Sequence, residues 1–301
     1  MLGRCPVVQI VAVVLTVLAC APVTAGPLED AVATARRGDY PTALRLFRQL
    51  ADQGNSYAQH SLGAMYAKGV GVPQDYAEAM KWLRLAADKG LAVAQNDMGI
   101  MYRQGWGVAR DGAEAVNWFR RAADQDFMPA QNNLGDIYAM GSGVPRDYSE
   151  AVKWFRLAAE QDSPYAQNIL GITYEHGFFV PQSDADAVAW YRRAANKVYD
   201  SSPLTLMHGP QYNLAAMYAS GRGVSKDNVQ AYMWFTLAAK LGDIKSPDAP
   251  GVVLFGAPKE TALEQRARVA ALMTSAEITE GERLAREWSP HPVVFIRPQA
   301  K

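Results

Sequence analysis

The chain has 301 residues, of which 49% are hydrophobic, so it is long enough to bury a large core. Its 30 basic residues balance its 30 acidic residues, and a chain without net charge lacks the long-range field that concentrates proteins on DNA or RNA. We therefore expect no nucleic-acid partner.

The first 25 residues have the pattern of an export signal. Arg4 supplies a positive start, and the stretch from Val7 to Ala21 is nearly all apolar. The small residues Val23-Thr24-Ala25 then offer a cleavage site. We expect cleavage after Ala25 and a mature protein that is periplasmic or secreted.

Cys20 supports an alternative in which the protein is a lipoprotein. Val17 to Cys20 resemble a lipoprotein cleavage site, although Leu18 stands where such sites usually carry a small residue. Acylated Cys20 would then anchor the chain, and only in this case do we expect contact with a membrane. An uncleaved anchor is disfavoured because the apolar run is short for a span of roughly 20 residues. Both cysteines, Cys5 and Cys20, lie in this segment, so cleavage after Ala25 leaves neither disulfides nor thiolate ligands.

Tryptophan and tyrosine recur at a fixed interval along the chain. Four tryptophans follow one another every 36 residues and a fifth follows after 44, namely Trp82, Trp118, Trp154, Trp190 and Trp234. A tyrosine position keeps the same step: Tyr66, Tyr102, Tyr138, Tyr174 and Tyr218. A fixed period of this length indicates stacked structural repeats.

Each repeat contains two stretches in which small and apolar residues recur at helical spacing. In the first repeat Ala58, Leu62 and Tyr66 mark one stretch, and Ala79 and Trp82 mark the other. Each repeat is therefore predicted to be a pair of amphipathic helices, and neighbouring pairs must stack to bury both faces. We expect the tryptophans to pack in the core, not to form a stacking platform for sugars or bases, because they share a face with alanines.

The loop between the two helices repeats as Gly-x-Gly-Val followed by an aspartate. Glycines here end the first helix and permit positive φ. The aspartates predict capping boxes at the start of the second helix: Asp75 with Glu78, Asp111 with Glu114, Asp147 with Glu150 and Asp227 with Gln230. Capping also explains why the aspartates recur without invoking catalytic carboxylates. In the fourth copy Phe179 replaces a glycine and Ser183 replaces the aspartate, so we expect the cap to shift to Ser183 with Asp186.

Together these positions resemble the Sel1-like repeat, a relative of the tetratricopeptide repeat. The shared pattern is A-x-x-x-L-G-x-x-Y-x-x-G-x-G-V-x-x-D-x-x-x-A-x-x-W-[FYL]-x-x-A-A, and it covers about residues 55 to 243. The resemblance implies an all-α fold, a right-handed α/α solenoid of stacked helix hairpins. It also implies a scaffold for protein complexes, often in bacterial envelope or signalling processes.

The repeat pattern divides the chain into four parts. The signal peptide, residues 1–25, precedes an abbreviated hairpin at 26–54 that we expect to cap the stack. Five repeats follow at about 55–90, 91–126, 127–162, 163–209 and 210–245, the fourth of which carries an insertion within 197–209. Residues 246–301 then form a Pro/Gly linker, a C-terminal helical cap and an extended tail.

No motif in the chain predicts enzyme chemistry. The four histidines, His60, His176, His208 and His291, are scattered and lack metal-ligand spacing. Neither a nucleophile elbow nor a phosphate-binding loop appears, so we expect no cofactor, no metal and no catalysis. Cysteine-rich Sel1-like relatives suggest an alternative, a cell-wall or β-lactam hydrolase, but this chain lacks their cysteine pairs.

A row of amide side chains is the feature that helix packing alone does not explain. Asn96, Asn132 and Asn168 recur at one position, with His60 and Tyr212 at the two ends of the series. In tetratricopeptide-like stacks this position faces the concave groove, where an amide can pair with the backbone of an extended peptide. Arg103 and Asp136 would line the same surface. We therefore predict an adaptor that binds an extended segment of an envelope protein; the alternative is that the amides satisfy polar groups between helices.

The export interpretation predicts the mass of the mature protein. The chain recovered from the envelope or the medium of its host should begin at Gly26, because cleavage is expected after Ala25. Intact-mass spectrometry measures this directly. A chain that begins at lipidated Cys20 would favour the lipoprotein alternative, and a chain that retains Met1 would contradict both.

Overall fold

The computed structural model of the protein describes residues 26–197, 209–241 and 260–290. The predicted export signal, residues 198–208 of the predicted insertion, the predicted Pro/Gly linker and the tail beyond residue 290 lie outside these residues. Within the described residues there are fourteen α-helices and no β-strand, which confirms the predicted all-α fold. None of these helices is both long enough and apolar enough to cross a membrane.

The first of two compact units contains the described residues up to Ile137 together with Gly141–Pro145. Its helices are α1 (Pro27–Arg36), α2 (Tyr40–Asp52), α3 (Ser56–Lys68), α4 (Tyr76–Asp88), α5 (Ala92–Gln104), α6 (Gly112–Ala123) and most of α7 (Met128–Met140). Each helix from α1 to α5 packs against the next one in the chain. The unit is thus a stack of consecutive helix hairpins.

The second unit contains Tyr138–Met140 and the described residues from Arg146 onward. Its helices are α8 (Tyr148–Glu160), α9 (Pro164–His176), α10 (Asp184–Ala195), α11 (Pro210–Ser220), α12 (Asn228–Leu241), α13 (Ala262–Ala270) and α14 (Ser275–Glu287). Helices α8 to α12 pack in chain order, and α12 also contacts both α13 and α14. The two helices after the repeats therefore pack against the last repeat helix.

The two helices of a repeat approach each other closely where the first helix has a glycine. A β-carbon on Gly171 of α9 would lie 2.3 Å from the ring of Tyr191 of α10, and Tyr191 is completely buried. A β-carbon on Gly63 of α3 would lie 2.6 Å from Leu83 of α4. The glycine thus makes room for a large side chain of the second helix. Large buried residues occupy this position in all five second helices: Leu83, Phe119, Phe155, Tyr191 and Phe235.

The repeated tryptophans immediately precede these buried residues and are less uniform. Trp82, Trp118 and Trp234 are buried, as predicted. Trp154 and Trp190 are only half-buried, so the prediction of core packing is wrong for these two. The indole N–H of Trp154 donates to Oε1 of Glu150 at 3.1 Å, as that of Trp82 does to Glu78. The next residue, Phe155, is 2% exposed, and its ring packs edge-on against that of Tyr165 in α9 with 6.0 Å between ring centres.

Aspartates cap the second helices, but without forming complete capping boxes. Oδ1 of Asp75 accepts from the backbone N–H of Glu78 at 2.9 Å, and three further aspartates do the same in their repeats: Asp111, Asp147 and Asp227. The backbone N–H of Asp75 donates to the carbonyl of Tyr66 at 2.9 Å, whereas Oε1 of Glu78 accepts from the indole N–H of Trp82 at 3.0 Å. The return half of the predicted box is therefore wrong, because each group has a different partner.

The fourth repeat keeps the loop conformation of the others despite its different residues. Phe179 has a φ of 60°, in the same left-handed region as Gly107 at 70° and Gly223 at 65°. Oγ of Ser183 accepts from the backbone N–H of Asp186 at 3.2 Å, which confirms the predicted shift of the cap. Adopting this φ costs a residue with a β-carbon roughly 1 kcal/mol or more of conformational free energy. The fold of the loop is thus retained at a conformational cost.

Buried glutamines join each repeat to the preceding helix. In four first helices the side-chain amide donates to a carbonyl in the last turn of the preceding second helix, at 3.0–3.1 Å: Gln59 to Ala51, Gln95 to Ala87, Gln167 to Ala159 and Gln211 to Ala195. Gln131, at the same position of α7, is 1% exposed. These bonds add a side-chain donor at a helix end, where intrahelical donors run out, although the carbonyls of Ala51, Ala87 and Ala159 also accept from a backbone N–H in the turn that follows. The four repeats that carry these bonds are therefore held at a defined height on the helix before them.

The burial of neighbouring aromatic residues in α8 predicts two different stability losses. Phe155→Ala should lower the free energy of unfolding by roughly 3–5 kcal/mol, because it removes a ring that is 2% exposed and leaves a cavity. Trp154→Ala should lower it by only about 1–2 kcal/mol, because part of the indole already contacts water. Urea unfolding of the two variants beside the wild type measures both. Equal losses would contradict the difference in burial between the two rings.

The hydrogen bonds of the buried glutamines predict that a buried and an exposed glutamine differ in their contribution to stability. Gln167→Leu should cost roughly 1 kcal/mol of unfolding free energy, because it removes the buried side-chain bond to the carbonyl of Ala159, which then keeps only the backbone N–H of Asp162 and a longer contact from Arg193. Gln182→Leu is the matched control: this exposed glutamine also donates to a backbone carbonyl, that of Glu175, at 2.9 Å. We expect its replacement to change stability by no more than about 0.5 kcal/mol, since water can replace the donor. Thermal or urea unfolding distinguishes the two, and a cost at Gln182 equal to that at Gln167 would argue against the special role of the buried bonds.

Candidate functional site

Polar side chains of the first helices bond from one repeat to the next. In the first unit Nε2 of His60 in α3 lies 2.8 Å from Oδ2 of Asp97 in α5. The next pair continues the row, because Nδ2 of Asn133 in α7 donates to Oδ1 of Asn96 at 2.9 Å. Both bonds join residues that are 37 positions apart, which is one more than the repeat period of 36. A residue of the predicted amide series therefore contacts, in the following repeat, the residue directly after the matching position. We call His60, Asn96, Asp97, Arg103 and Asn133 the polar row.

Arg103 completes the polar row at the side of α7. Its Nη1 donates to Oδ1 of Asn133 at 3.0 Å, and its guanidinium lies 5.7 Å from the ring centre of Phe119. Nδ2 of Asn96 lies 3.4 Å from Oδ1 of Asp97, which connects the two bonded pairs. His60, Asn96 and Asn133 are almost completely buried, whereas Arg103 is half-buried. The row therefore places fixed amides inside and a cation nearer the solvent.

Lys68 adds a second cation beside the polar row. It lies in the last turn of α3 and is half-buried. Burial lowers the pKa of Lys68 to about 8, and the carboxylate of Asp97 partly opposes this shift. The ammonium is therefore still mostly charged at neutral pH, in a place where hydration is incomplete. Such a group gains more from an incoming carboxylate than a fully hydrated lysine does.

The second unit contains its own polar contacts on the first helices. Nδ2 of Asn213 in α11 donates to Oδ1 of Asn168 in α9 at 3.0 Å. The hydroxyl of Tyr191 donates to Oε2 of Glu175 at 2.7 Å, and Arg222 binds the same carboxylate. Desolvation, with the neighbouring carboxylate of Glu175 as the next cause, raises the pKa of Tyr191 well above its ordinary value. This hydroxyl is thus held as a neutral donor.

The predicted site residues fall into three groups. In the first unit His60, Asn96 and Arg103 are brought together in the polar row, and in the second unit Asn168 bonds Asn213. Asn132 is half-buried and Asp136 is 1% exposed, both in α7. The hydroxyl of Tyr212 donates to the carbonyl of Glu260 at 3.2 Å, at the start of the C-terminal helices. The amides of Asn96 and Asn168 therefore make the inter-helix contacts that the alternative interpretation describes.

Two functional candidates were not predicted from sequence. The residue at the repeat position of Lys68 differs in every other repeat: Gln104, Met140, His176 and Ser220. This variation at the end of the first helix was the signal in the sequence that could have indicated Lys68. Arg222, in a repeated loop, binds Glu175 across 47 residues, and no local pattern indicates that contact. Among the described residues no group of three or more histidine, cysteine, aspartate or glutamate side chains is arranged to hold a metal ion.

Comparison with known proteins identifies the repeats. The Sel1 repeat model matches six segments: residues 34–55, 56–91, 92–127, 129–163, 164–199 and 211–243. No curated protein sequence matches the chain significantly.

Two solved structures are similar to the chain over most of its length. A Sel1 repeat protein from Oxalobacter formigenes is 31% identical with a TM-score of 0.68, and the match covers 87% of this chain and 100% of that one. The protein c5321, a protective antigen present in uropathogenic Escherichia coli strains, is 33% identical with a TM-score of 0.64, over 88% of this chain and 60% of that one. The chain therefore belongs to the Sel1 repeat family.

Proposed function

We propose that the chain is an exported, non-catalytic adaptor that binds a segment of another envelope protein along the first helices of its first unit. Sel1 repeat proteins generally act as scaffolds for protein interactions, and this general role supports the proposal. The export pattern of residues 1–25 supports the location. The observation that carries the proposal is the polar row.

The polar row is costly if it serves packing alone. Apolar side chains of similar volume would pack between these helices without the desolvation of His60, Asn96 and Asn133. The bonds within the row hold its buried amides and its imidazole in one arrangement, and one of these bonds fixes half-buried Arg103 on Asn133. A partner would therefore meet a guanidinium that has already lost much of its rotational freedom. A fixed cation of this kind favours binding of a specific segment over unspecific adhesion.

The charges beside the polar row indicate the chemistry of the segment. Lys68 and Arg103 are both half-buried cations, whereas the carboxylate of Asp97 lies 2.8 Å from His60. A carboxylate from the partner would restore the interactions that burial has taken from these cations. We therefore propose an extended segment with at least one acidic side chain. Asn132 is more exposed than Asn96 and is the amide of the series that we place in direct contact with the segment.

Site-specific photo-crosslinking in the host tests this function. A photoreactive residue at position 100 of α5 lies one helical turn from both Asn96 and Arg103. The matched control places it at Leu85 of α4, which is 46% exposed and belongs to a second helix. We expect a covalent adduct with a defined envelope protein from position 100 and none from position 85.

A charge variant then links the adduct to the polar row. Arg103→Gln should reduce its yield about tenfold or more, because a charge-assisted hydrogen bond contributes roughly 1.5–3 kcal/mol. Arg84→Gln is the control, since this arginine binds the Tyr102 hydroxyl at 2.7 Å but lies on a second helix. Equal adducts from positions 100 and 85, or an adduct unaffected by Arg103→Gln, would contradict the proposed surface. Hydrolysis of a cell-wall fragment or a β-lactam by the purified protein would contradict the non-catalytic role.

A further inference from the structure

The second unit contains a cavity of about 200 Å³ beside the loop that follows α9. Helices α8 and α9 form its floor and the loop forms its outer wall. Its lining is mainly aliphatic and aromatic, and includes Ala151, Val152, Phe155, Ile169, Phe178 and Phe179. Phe178 and Phe179 are also 38% and 58% exposed, so the loop wall borders the solvent.

The cavity occurs where the fourth repeat departs from the pattern of the others. Matching loops carry a glycine that lies directly against the start of the preceding second helix: a β-carbon on Gly107 would lie 2.5 Å from the carbonyl oxygen of Tyr76, and one on Gly223 would lie 2.1 Å from that of Asp184. Phe179 has a side chain at this position, so its backbone cannot approach as closely. Its ring stacks on Tyr148 at the start of α8 instead, with 4.3 Å between ring centres. The space that a glycine loop would close thus stays open.

Neither backbone conformation nor burial accounts for a phenylalanine at this position. Its φ of 60° is one that glycine adopts without cost and that a residue with a β-carbon adopts only with strain. The ring is more than half exposed, so it gains less from burial than a core aromatic does. Strain that persists beside a cavity is a recognised feature of ligand-binding sites.

The lining determines which molecules the cavity can accept. Only two of the lining side chains carry a polar group, and both hydroxyls already hold a hydrogen bond within the protein. Tyr148 accepts from Nη1 of Arg146 at 3.1 Å, and Thr173 donates to the carbonyl of Ile169 at 2.8 Å. A polar ligand would lose its hydration without adequate replacement. An engineered apolar cavity of about 150 Å³ in another protein binds benzene, so a volume of about 200 Å³ suits one aromatic ring or a small fused ring.

We propose that this cavity is a binding site for a free small molecule built on a single apolar aromatic ring system, of the size of toluene or indole. Phe179 and Tyr148 form an aromatic wall for the ligand, and Phe155 and Ile169 form apolar lining from the two helices. The site lies in the second unit and does not depend on the proposed adaptor function, which rests on residues of the first unit.

Titration of the full mature chain with indole and with toluene tests the site, followed by calorimetry and by ligand-induced shifts of the melting midpoint. We expect saturable one-to-one binding of both probes and none of myo-inositol, a ring of similar size covered with hydroxyls. Phe179→Gly should weaken binding at least about tenfold, because it removes one aromatic wall and lets the loop close. Its melting midpoint should stay unchanged or rise, since glycine is the residue of the matching loops.

Two further variants separate the cavity from general effects. Trp106→Ala is the matched control, because Trp106 stacks on Tyr76 in a loop of the first unit with 5.3 Å between ring centres; it should bind both probes as the wild type does. Val152 is half-buried and lines the cavity, so the larger ring of Val152→Phe should fill the cavity and abolish binding. This variant tests the site even if Phe179→Gly fails to fold. The proposal is overturned if the folded wild type binds neither probe, if myo-inositol binds equally well, or if a folded Phe179→Gly or Val152→Phe variant retains wild-type affinity.

Discussion

The hydrogen bond from a buried glutamine to the last turn of the preceding helix is the constraint on which the stacking of repeats depends. The helix faces that meet are rich in alanine, and apolar contact between such faces has no preferred direction. An amide-to-carbonyl bond does have one, and leaving it unmade inside the protein costs more than the bond itself contributes. Because the same bond recurs at Gln59, Gln95, Gln167 and Gln211, these four repeats are placed at the same height on the helix before them.

This fixed height brings together side chains that the packing pattern does not include. His60 meets Asp97, and Asn96 meets Asn133, because each lies one residue past the repeat period of its partner. Asn168 and Asn213 meet in the same way although they are 45 residues apart. The eight extra residues between these two repeats therefore leave the register of the first helices intact. A surface for a partner can change at such positions without disturbing the stack.

The loop of the fourth repeat differs from the other loops between the two helices of a repeat, and this difference changes the local surface. A β-carbon at Gly107 or Gly223 would collide with backbone atoms of the preceding helix, so a side chain at these positions requires the loop to move. Phe179 keeps the backbone conformation that these glycines adopt but not their close contact with the preceding helix. The result is an apolar cavity in one repeat of a fold whose other loops lie directly on their neighbours. A single exchange at a constrained position thus changes the shape of the surface while the helices keep their places.

The sequence by itself determined the repeat period, the paired helices, the helix caps and the family, because these depend on residues within one or two helical turns of each other. Asp75 caps α4 from three residues away, and Ser183 does so for α10. Only the tertiary structure decided that Phe155 is buried more completely than Trp154 and that His60 pairs with Asp97. The helical period places Trp154 and Phe155 on adjacent positions and cannot say which of the two rings is buried more completely. Contacts across 37 residues depend on how one hairpin is seated on the next, and that height is set by buried hydrogen bonds and close packing that no local pattern encodes.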